Sequence, residues 1–521
     1  MMLRPTDGPT NTLAELTERF GFERTDDDDH AATTTDVAGV TLDSTDVRPG
    51  DLFVGISGAR RHGAELAEEA EQAGAAAILT DARGAELAQS ASIPVIVTAD
   101  PRAELGDVSA YVYGTSVRTP TLFGVTGTNG KTSTVHMTEA ILRQMGVTAG
   151  LSSTAERHIG GESVISGLTT PEATELHAML ATMNQRGVTA AAIEVSAQAL
   201  TRHRVDGVVF DVAGFTNLSH DHLDDYGDMD TYFEAKAPLF QPDRSRRAVI
   251  SLDSPAGYRM VERAGVPVAT IASDPAADAD WTVTIVAEEP AGARFTVTRR
   301  DGRAITTFVP VIGRHMAADA GLAIAMLVEA GWAMDEIRAV LHRDGGIDVR
   351  LPGRTELVSG ELGPHVYVDF GHSPDAFENT LAAVRRVTTG RVIMLFGADG
   401  DRDTLKRPAM AAAAVLGSDI LVVTDHHPRF EDPDAIRRVL VESARAARPD
   451  GEIHEVGDPK RAIRYAISLA DEGDAILWAG PGHQNYRDIR GVRTPYSARA
   501  EARAALSEAG WDAATTPLLA G

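Results

Sequence analysis

The sequence predicts an α/β fold of three domains built on parallel sheets. Three observations predict it. Apolar strand-like runs alternate with helix-like segments at the spacing of βαβ units. A glycine-rich turn, "GVTGTNGKTST" at 124–134, joins one such strand to one such helix. The 521 residues exceed one domain of about 100–200 residues. Successive βαβ units imply sites at the C-terminal ends of the strands.

The elements follow in order. Residues 1–117 carry "GDLFVGISG", a helix-like "HGAELAEEAEQAGA", the apolar strand "AAILT" and "IPVIVTA", a small α/β domain. Residues 118–345 alternate strand "TLFGVTG", helix "KTSTVHMTEAILRQMG", strands "TAAAIEVS" and "RAVISLD" and helix "AADAGLAIAMLVEAG". Residues 346–521 place strands "HVYVDF", "RVIMLFGA", "DILVVTD" and "DAILWAG" among four helix-like segments, a Rossmann-like pattern. The terminal "TTPLLAG" reads as a frayed tail.

Composition excludes several function classes. A formal charge of −26 disfavours a broad nucleic-acid footprint, which needs clustered Lys and Arg. The absence of cysteine excludes disulfides, thiolate metal sites and Cys nucleophiles, and suits a reducing cytosol. No apolar run approaches the ~18–20 residues of a membrane span, and the N-terminus lacks the apolar core of a signal peptide. The expectation is a cytoplasmic protein without membrane insertion. The acidic run "TDDDDHAATTTD" (25–36) reads as a solvated loop.

The turn at 124–134 has the parts of a phosphate cradle. The usual P-loop spacing is not kept, because Val125 stands five residues before Gly130 and the nearest earlier glycine is Gly127. In this compact form Gly127, Thr128, Asn129, Gly130, Lys131, Thr132 and Ser133 surround ATP phosphates. Glycines let backbone N–H groups approach phosphate, and the following helix N-terminus adds partial positive charge. Lys131 reaches the β- and γ-phosphates and Thr132 holds Mg²⁺. Glu194 ends the apolar strand of "AAAIEVSAQAL", where a carboxylate can meet the same hard cation.

"GTNGKT" resembles the Mur ligase superfamily, which also includes folylpolyglutamate synthases. The resemblance implies a three-domain Mur ligase architecture and an enzyme that uses ATP to make an acyl phosphate, which an amine then attacks. "FTNLSHDHLDDYG" (215–227) matches the superfamily's NxxxDHxD motif, which implies that His222 binds a second Mg²⁺. "YFEAKAPLF" (232–240) matches the segment whose lysine becomes a carbamate, here Lys236. A neutralised lysine that captures CO₂ turns from cation to anion and can help hold metal. The implied catalytic set is Lys131, Glu194, His222 and Lys236, with Thr132 as a further metal ligand.

Other segments resemble the branch of this family that makes UDP-N-acetylmuramoyl-tripeptide. "TLDSTDVRPGDLFVGISGARRHG" is similar to its uridine module, with Leu42, Ser44, Ala59, Arg60 and Arg61 at UDP-holding positions. Thr169, Thr170, Ser196, Arg202 and Arg204 stand where a muramoyl-dipeptide is bound. Arg354, Asp369 and His372 fall near the nucleotide. Arg402, His426, His427, Pro428, Arg429, Gly480 and Gln484 fall in the amino-acid pocket. The sequence departs from the family in three places: Met316 and Asp319 where Asn is usual, His426-His427-Pro428-Arg429 for DNPR, and Gly480-Pro481-Gly482-His483-Gln484 for GKGHE.

The resemblance implies ATP-dependent addition of a third amino acid to UDP-N-acetylmuramoyl-L-alanyl-D-glutamate in peptidoglycan synthesis, by a monomer. Arg429 favours meso-diaminopimelate, since Arg pairs specifically with carboxylate. Lysine, ornithine, diaminobutyrate and homoserine stay open, as do a MurF-type or paralogous UDP-linked amide ligase. A non-catalytic nucleotide-binding scaffold is the reading from another class; ADP release dependent on the muramoyl-dipeptide separates it.

Overall fold

The computed structural model describes residues 4–9, 11–25, 35–58, 61–117, 119–221 and 223–514. Ala59, Arg60, His222, most of the acidic run and the tail lie outside the described residues.

Three principal sheets follow one another along the chain. The first has five strands in the order Glu23–Arg24, Val95–Val97, Ala77–Thr80, Asp51–Gly55, Gly39–Thr41, parallel except for the first. The segment after Arg61 is not one helix, as its composition suggested. A 3₁₀ turn, Gly63–Leu66, precedes a short helix, Ala67–Gln72. His62 caps the tight turn by accepting from Ala64 N–H, and Glu65 reaches back to His62 N–H.

The second sheet has 11 strands. Ala190–Glu194, Thr121–Thr126 and Val212–Phe215 are neighbours and run parallel. Both faces are covered. The helices Lys131–Gln144 and Arg314–Glu329 bury one side, and Ala173–Gln185 lies on the other. This is why Ala190–Glu194 is buried at every position and reads as a continuous apolar run rather than an alternating one. Beyond Val268–Ala272 the sheet continues as an antiparallel meander, Trp281–Glu289, Gly292–Arg299 and Ala304–Val309.

The third sheet has six strands in the order Glu356–Leu357, His365–Asp369, Ala475–Ala479, Val392–Phe396, Ile420–Val423, Glu452–Glu455. All pairs but the first are parallel. Two registers matter for chemistry. Glu194 lies beside Val125 and Phe215 beside Thr126, so three loops leave the central sheet at one edge. Asp369 and Phe396 both align with Ala479, and Phe396 with Val423, so the loops starting at residues 370, 397, 424 and 480 leave the third sheet together.

Candidate active site

The glycine-rich turn connects Thr121–Thr126 to Lys131–Gln144. Gly127 has φ 146° and a Cβ there would stand 1.9 Å from Thr216 Oγ1; Gly130 has φ 86° and a Cβ would stand 2.4 Å from Asp319 Oδ1. Only glycine fits either position. Gly130 caps the helix without a side-chain hydrogen bond, so the first-turn N–H groups are left for an anion.

The turn is held by the neighbouring loop: Thr216 Oγ1 donates to Asn129 O (2.6 Å), and Asn129 N–H to Asn217 Oδ1 (3.1 Å). Asn129 Nδ2 also donates to Asp375 Oδ2 of the C-terminal region (3.1 Å).

Lys131 Nζ donates to Gly127 O (3.1 Å) and Thr128 O (2.8 Å), folded over its own turn. Burial lowers its pKa, opposed by the charges of Glu194 and Asp221. Thr132 Oγ1 donates to Glu194 Oε2 (3.0 Å) and accepts from Arg354 Nη2 (3.0 Å). Thr154 adds its N–H (2.8 Å) and hydroxyl (3.0 Å) to the same Glu194 oxygen. These clustered oxygens are the hard donors that Mg²⁺ prefers, so Thr132 and Glu194 fit that ion.

Lys236 is buried, 1% exposed. Its Nζ donates to Gly127 O (3.0 Å) and lies 4.1 Å from the centre of the Tyr232 ring. Burial, then the charge of Lys131, hold its pKa well below the usual lysine value, against an opposing pull from Asp221.

One cleft of about 660 Å³ runs from this turn to the third sheet's loops. Thr169, Ser196, Arg202 and Arg204 line its central-domain side. Thr170 does not; its hydroxyl donates to Glu194 O (2.8 Å) and accepts from Ser196 N–H (3.0 Å), fixing the strand end. Leu42, Ser44 and Arg61 lie in the first domain, away from this lining. Asp319 and Met316 do line it. Burial and the nearby Asp253 raise the Asp319 pKa well above the usual carboxylate value, against the pull of Lys131.

On the far side, Arg354 stacks 4.3 Å from the Phe370 ring centre. Asp369 lines the cleft, but its carboxylate is taken up by Thr355 N–H (2.7 Å), Thr355 Oγ1 (3.0 Å) and Gly371 N–H (2.6 Å). It thereby fixes the loop that presents Arg354. His372 Nδ1–H donates to Phe370 O (2.9 Å), and its Nε2 is 3.9 Å from Asp221. Lys406 Nζ lies 3.4 Å from Asp221.

Arg402, His426, Arg429, Gly480 and Gln484 line the cleft from the third sheet's side, whereas His427 and Pro428 are buried and do not line it. His427 Nδ1 accepts from Asp488 N–H (2.9 Å), so its Nε2–H donates to Gln484 Oε1 (2.7 Å). Burial, then His426, lowers its pKa to about 4.

Sequence reasoning missed Asp399, Asp221, Lys406 and Thr154. Asp399 and Lys406 flank Arg402 within four residues, and Asp221 lies inside "FTNLSHDHLDDYG". Their partners are distant in the chain: Thr154 and Glu194 are 40 residues apart, Asp399 and His426 27, and Asp221 and Lys406 185.

The fold and cleft define an α/β protein with a compact P-loop on its central parallel sheet, faced by loops of a second parallel sheet. The family descriptions "Mur ligase family, catalytic domain", "Mur ligase middle domain" and "Mur ligase, glutamate ligase domain" match residues 36–113, 125–327 and 353–482. The chain belongs to the Mur ligase family.

It is 56% identical over 98% of its length, and 98% of the relative's, to the UDP-N-acetylmuramyl-tripeptide synthetase of Leifsonia xyli subsp. xyli. It is 40% identical, over 97% of this chain and 98% of the other, to the UDP-N-acetylmuramoyl-L-alanyl-D-glutamate--2,6-diaminopimelate ligase of Streptomyces coelicolor. A solved UDP-N-acetylmuramoyl-L-alanyl-D-glutamate--2,6-diaminopimelate ligase superposes with a TM-score of 0.66 at 26% identity, over 96% of this chain and all of the other. MurF of Acinetobacter baumannii shares the fold at a TM-score of 0.67 and 17% identity, over 91% and 96% of the two chains.

Proposed function

We propose that this chain is the ATP-dependent ligase that adds the third amino acid to UDP-N-acetylmuramoyl-L-alanyl-D-glutamate in peptidoglycan synthesis. The observation that supports the reading is that the phosphate turn, Thr169, Ser196 and Arg204, and the third-sheet loops carrying Arg402 and Arg429 all line one cleft. The relatives named above have the matching activity in their names.

The γ-phosphoryl of ATP passes to the D-Glu γ-carboxylate, and the amine of the third amino acid attacks the resulting acyl phosphate. A peptide bond forms as phosphate leaves; the products are the UDP-tripeptide, ADP and phosphate. Lys131 leaves its own turn's carbonyls to meet the transferring phosphoryl, and Arg354 adds a second cation from the opposite wall. Mg²⁺ on Thr132 and Glu194 would offset charge on that phosphoryl. Lys236 is the proposed carbamate, since burial holds an amine neutral and open to CO₂. Closing the cleft keeps water from the acyl phosphate.

Ala59, Arg60 and Arg61, with Leu42 and Ser44, are assigned to the uridine moiety. The three sheets correspond to domains at 1–117, 118–345 and 346–521. Among the described residues no helix is long and apolar enough to cross a membrane. A cytoplasmic monomer, supplied with ATP and nucleotide sugar in solution, is the form proposed. The third amino acid is assigned as meso-diaminopimelate, because Arg429 supplies a cation at the cleft's far end.

The test is incubation with ATP, Mg²⁺, UDP-N-acetylmuramoyl-L-alanyl-D-glutamate and a panel of amino acids, with the product identified by mass. A tripeptide product with stoichiometric ADP is expected. No product with any amine, and no ADP release dependent on the dipeptide, would overturn the ligase reading.

A further inference from the structure

Three donors converge on one oxygen of Glu194. Thr132 Oγ1–H (3.0 Å), Thr154 N–H (2.8 Å) and Thr154 Oγ1–H (3.0 Å) all reach Oε2. Two of them come from Thr154, whose hydroxyl also lies 3.0 Å from Thr169 Oγ1 on the cleft wall. A hydroxyl has one proton and a carboxylate only accepts, so Thr154 donates to Glu194 and Thr169 donates to Thr154. One side chain thus aligns the carboxylate with the wall assigned to the dipeptide.

Thr154 sits on a turn that its neighbour closes. Ser153 Oγ–H donates to Glu156 O (2.9 Å), and the same oxygen accepts from Ala155 N–H and Glu156 N–H (each 3.2 Å). His136 reaches this oxygen from the helix Lys131–Gln144, with Nε2 at 3.0 Å. The hydroxyl proton is given to Glu156 O, so the bond is made by His136 Nε2–H. Both side chains are buried, 2% and 0% exposed. Burial lowers the His136 pKa to about 4, so the ring is neutral near pH 7.

His136 lies one turn after Thr132 on the same face of that helix. The helix therefore holds Glu194 twice, directly through Thr132 and at one remove through His136, Ser153 and Thr154. Glu139 of the same helix adds a second tie to this segment, because His158 stands 3.4 Å from Glu139 and 3.3 Å from Glu156. Partners of this kind orient a metal ligand without touching the metal.

We propose that His136 is a positioning residue for the carboxylate of Glu194: its bond to Ser153 sets the turn that holds Thr154 on Oε2. The proposal rests on the reading of Thr132 and Glu194 as the Mg²⁺ site. A phenylalanine would fill the same space between helix and turn but could not make the bond, so packing and positioning are separable.

The test is titration of Mn²⁺, in place of Mg²⁺, into the full chain with ADP, read by electron paramagnetic resonance without turnover. Thr154→Val, Ser153→Ala and His136→Phe should each weaken Mn²⁺ binding by about tenfold or more. Affinity for ADP without metal should stay unchanged. His136→Gln, which keeps an N–H donor at similar reach, should recover most of the loss. His136→Phe should cost far less in a Thr154→Val background than in the wild type, because it acts through Thr154.

If folded His136→Phe and Ser153→Ala bind Mn²⁺ as the wild type does, the positioning role is refuted while the metal reading stands. It is equally refuted if the His136→Phe and Thr154→Val losses multiply in full, or if His136→Gln recovers nothing. If the wild type with ADP takes up no Mn²⁺, the metal reading itself has failed, and the proposal with it.

Discussion

Arg354→Ala isolates the contact that joins the two walls of the cleft. The guanidinium is held over Phe370 at 4.3 Å and donates to Thr132 Oγ1 at 3.0 Å, while its Nε–H is buried without a partner among the described residues. Its side chain therefore arrives pre-oriented with donor capacity to spare, beside the hydroxyl proposed to hold Mg²⁺. A charge-assisted hydrogen bond to phosphate contributes about 1.5–3 kcal/mol. Losing one such bond should weaken ATP binding by about 10- to 150-fold. Arg354→Lys keeps the charge but loses the planar stack and the fork, so it should fall between wild type and Ala.

The assay is calorimetric titration of Mg-ATP into the three proteins, with melting temperature as the folding control. A double-mutant cycle with Thr132→Ala measures how much of the loss passes through the hydroxyl. Unchanged ATP affinity in a folded Arg354→Ala protein would refute the assignment of this residue to the nucleotide.

Three further outcomes are expected. Lys236→Ala should abolish ligation without unfolding the protein, and bicarbonate should not restore it; normal turnover would exclude the carbamate. A fragment beginning near residue 118 should still bind ATP but lose affinity for the UDP-dipeptide, read by titration of each ligand; retained affinity would show that residues 42–63 do not hold the uridine moiety. Stability should also fall between about pH 6.5 and pH 9. Burial opposes charge on His158, but Glu139 (3.4 Å) and Glu156 (3.3 Å) outweigh it and raise its pKa to about 9. A raised folded pKa gives stability that is fully present below the unfolded value and lost on passing the folded one, here about 3 kcal/mol at most. Melting curves across that range should slope downward in the wild type and flatten in His158→Gln.

The sequence by itself determined the α/β class, the compact phosphate turn and the family. These are local properties. A strand buried on both faces must be apolar throughout, as in Ala190–Glu194, and a turn that folds back on its helix needs glycine where φ is positive, as at Gly127 and Gly130. Residues 3 to 10 apart carry such constraints within a single quotable segment. The antiparallel meander from Trp281 to Val309 left a weaker mark, since its strands alternate buried and exposed positions and complete an existing sheet rather than begin a unit.

Tertiary structure alone decided which charged groups face one another. Asp369 stood in a motif that suggested nucleotide contact, yet its oxygens accept from Thr355 and Gly371. Asp399 stood three residues before Arg402 and was not singled out, yet it is the carboxylate between His426 and Arg429. Hydrogen bonds and ion pairs require approach within about 3–4 Å, and loops from different strands reach that distance only when the parallel register brings their ends to one edge. The sequence holds each charge, but its partner is chosen by the sheet order.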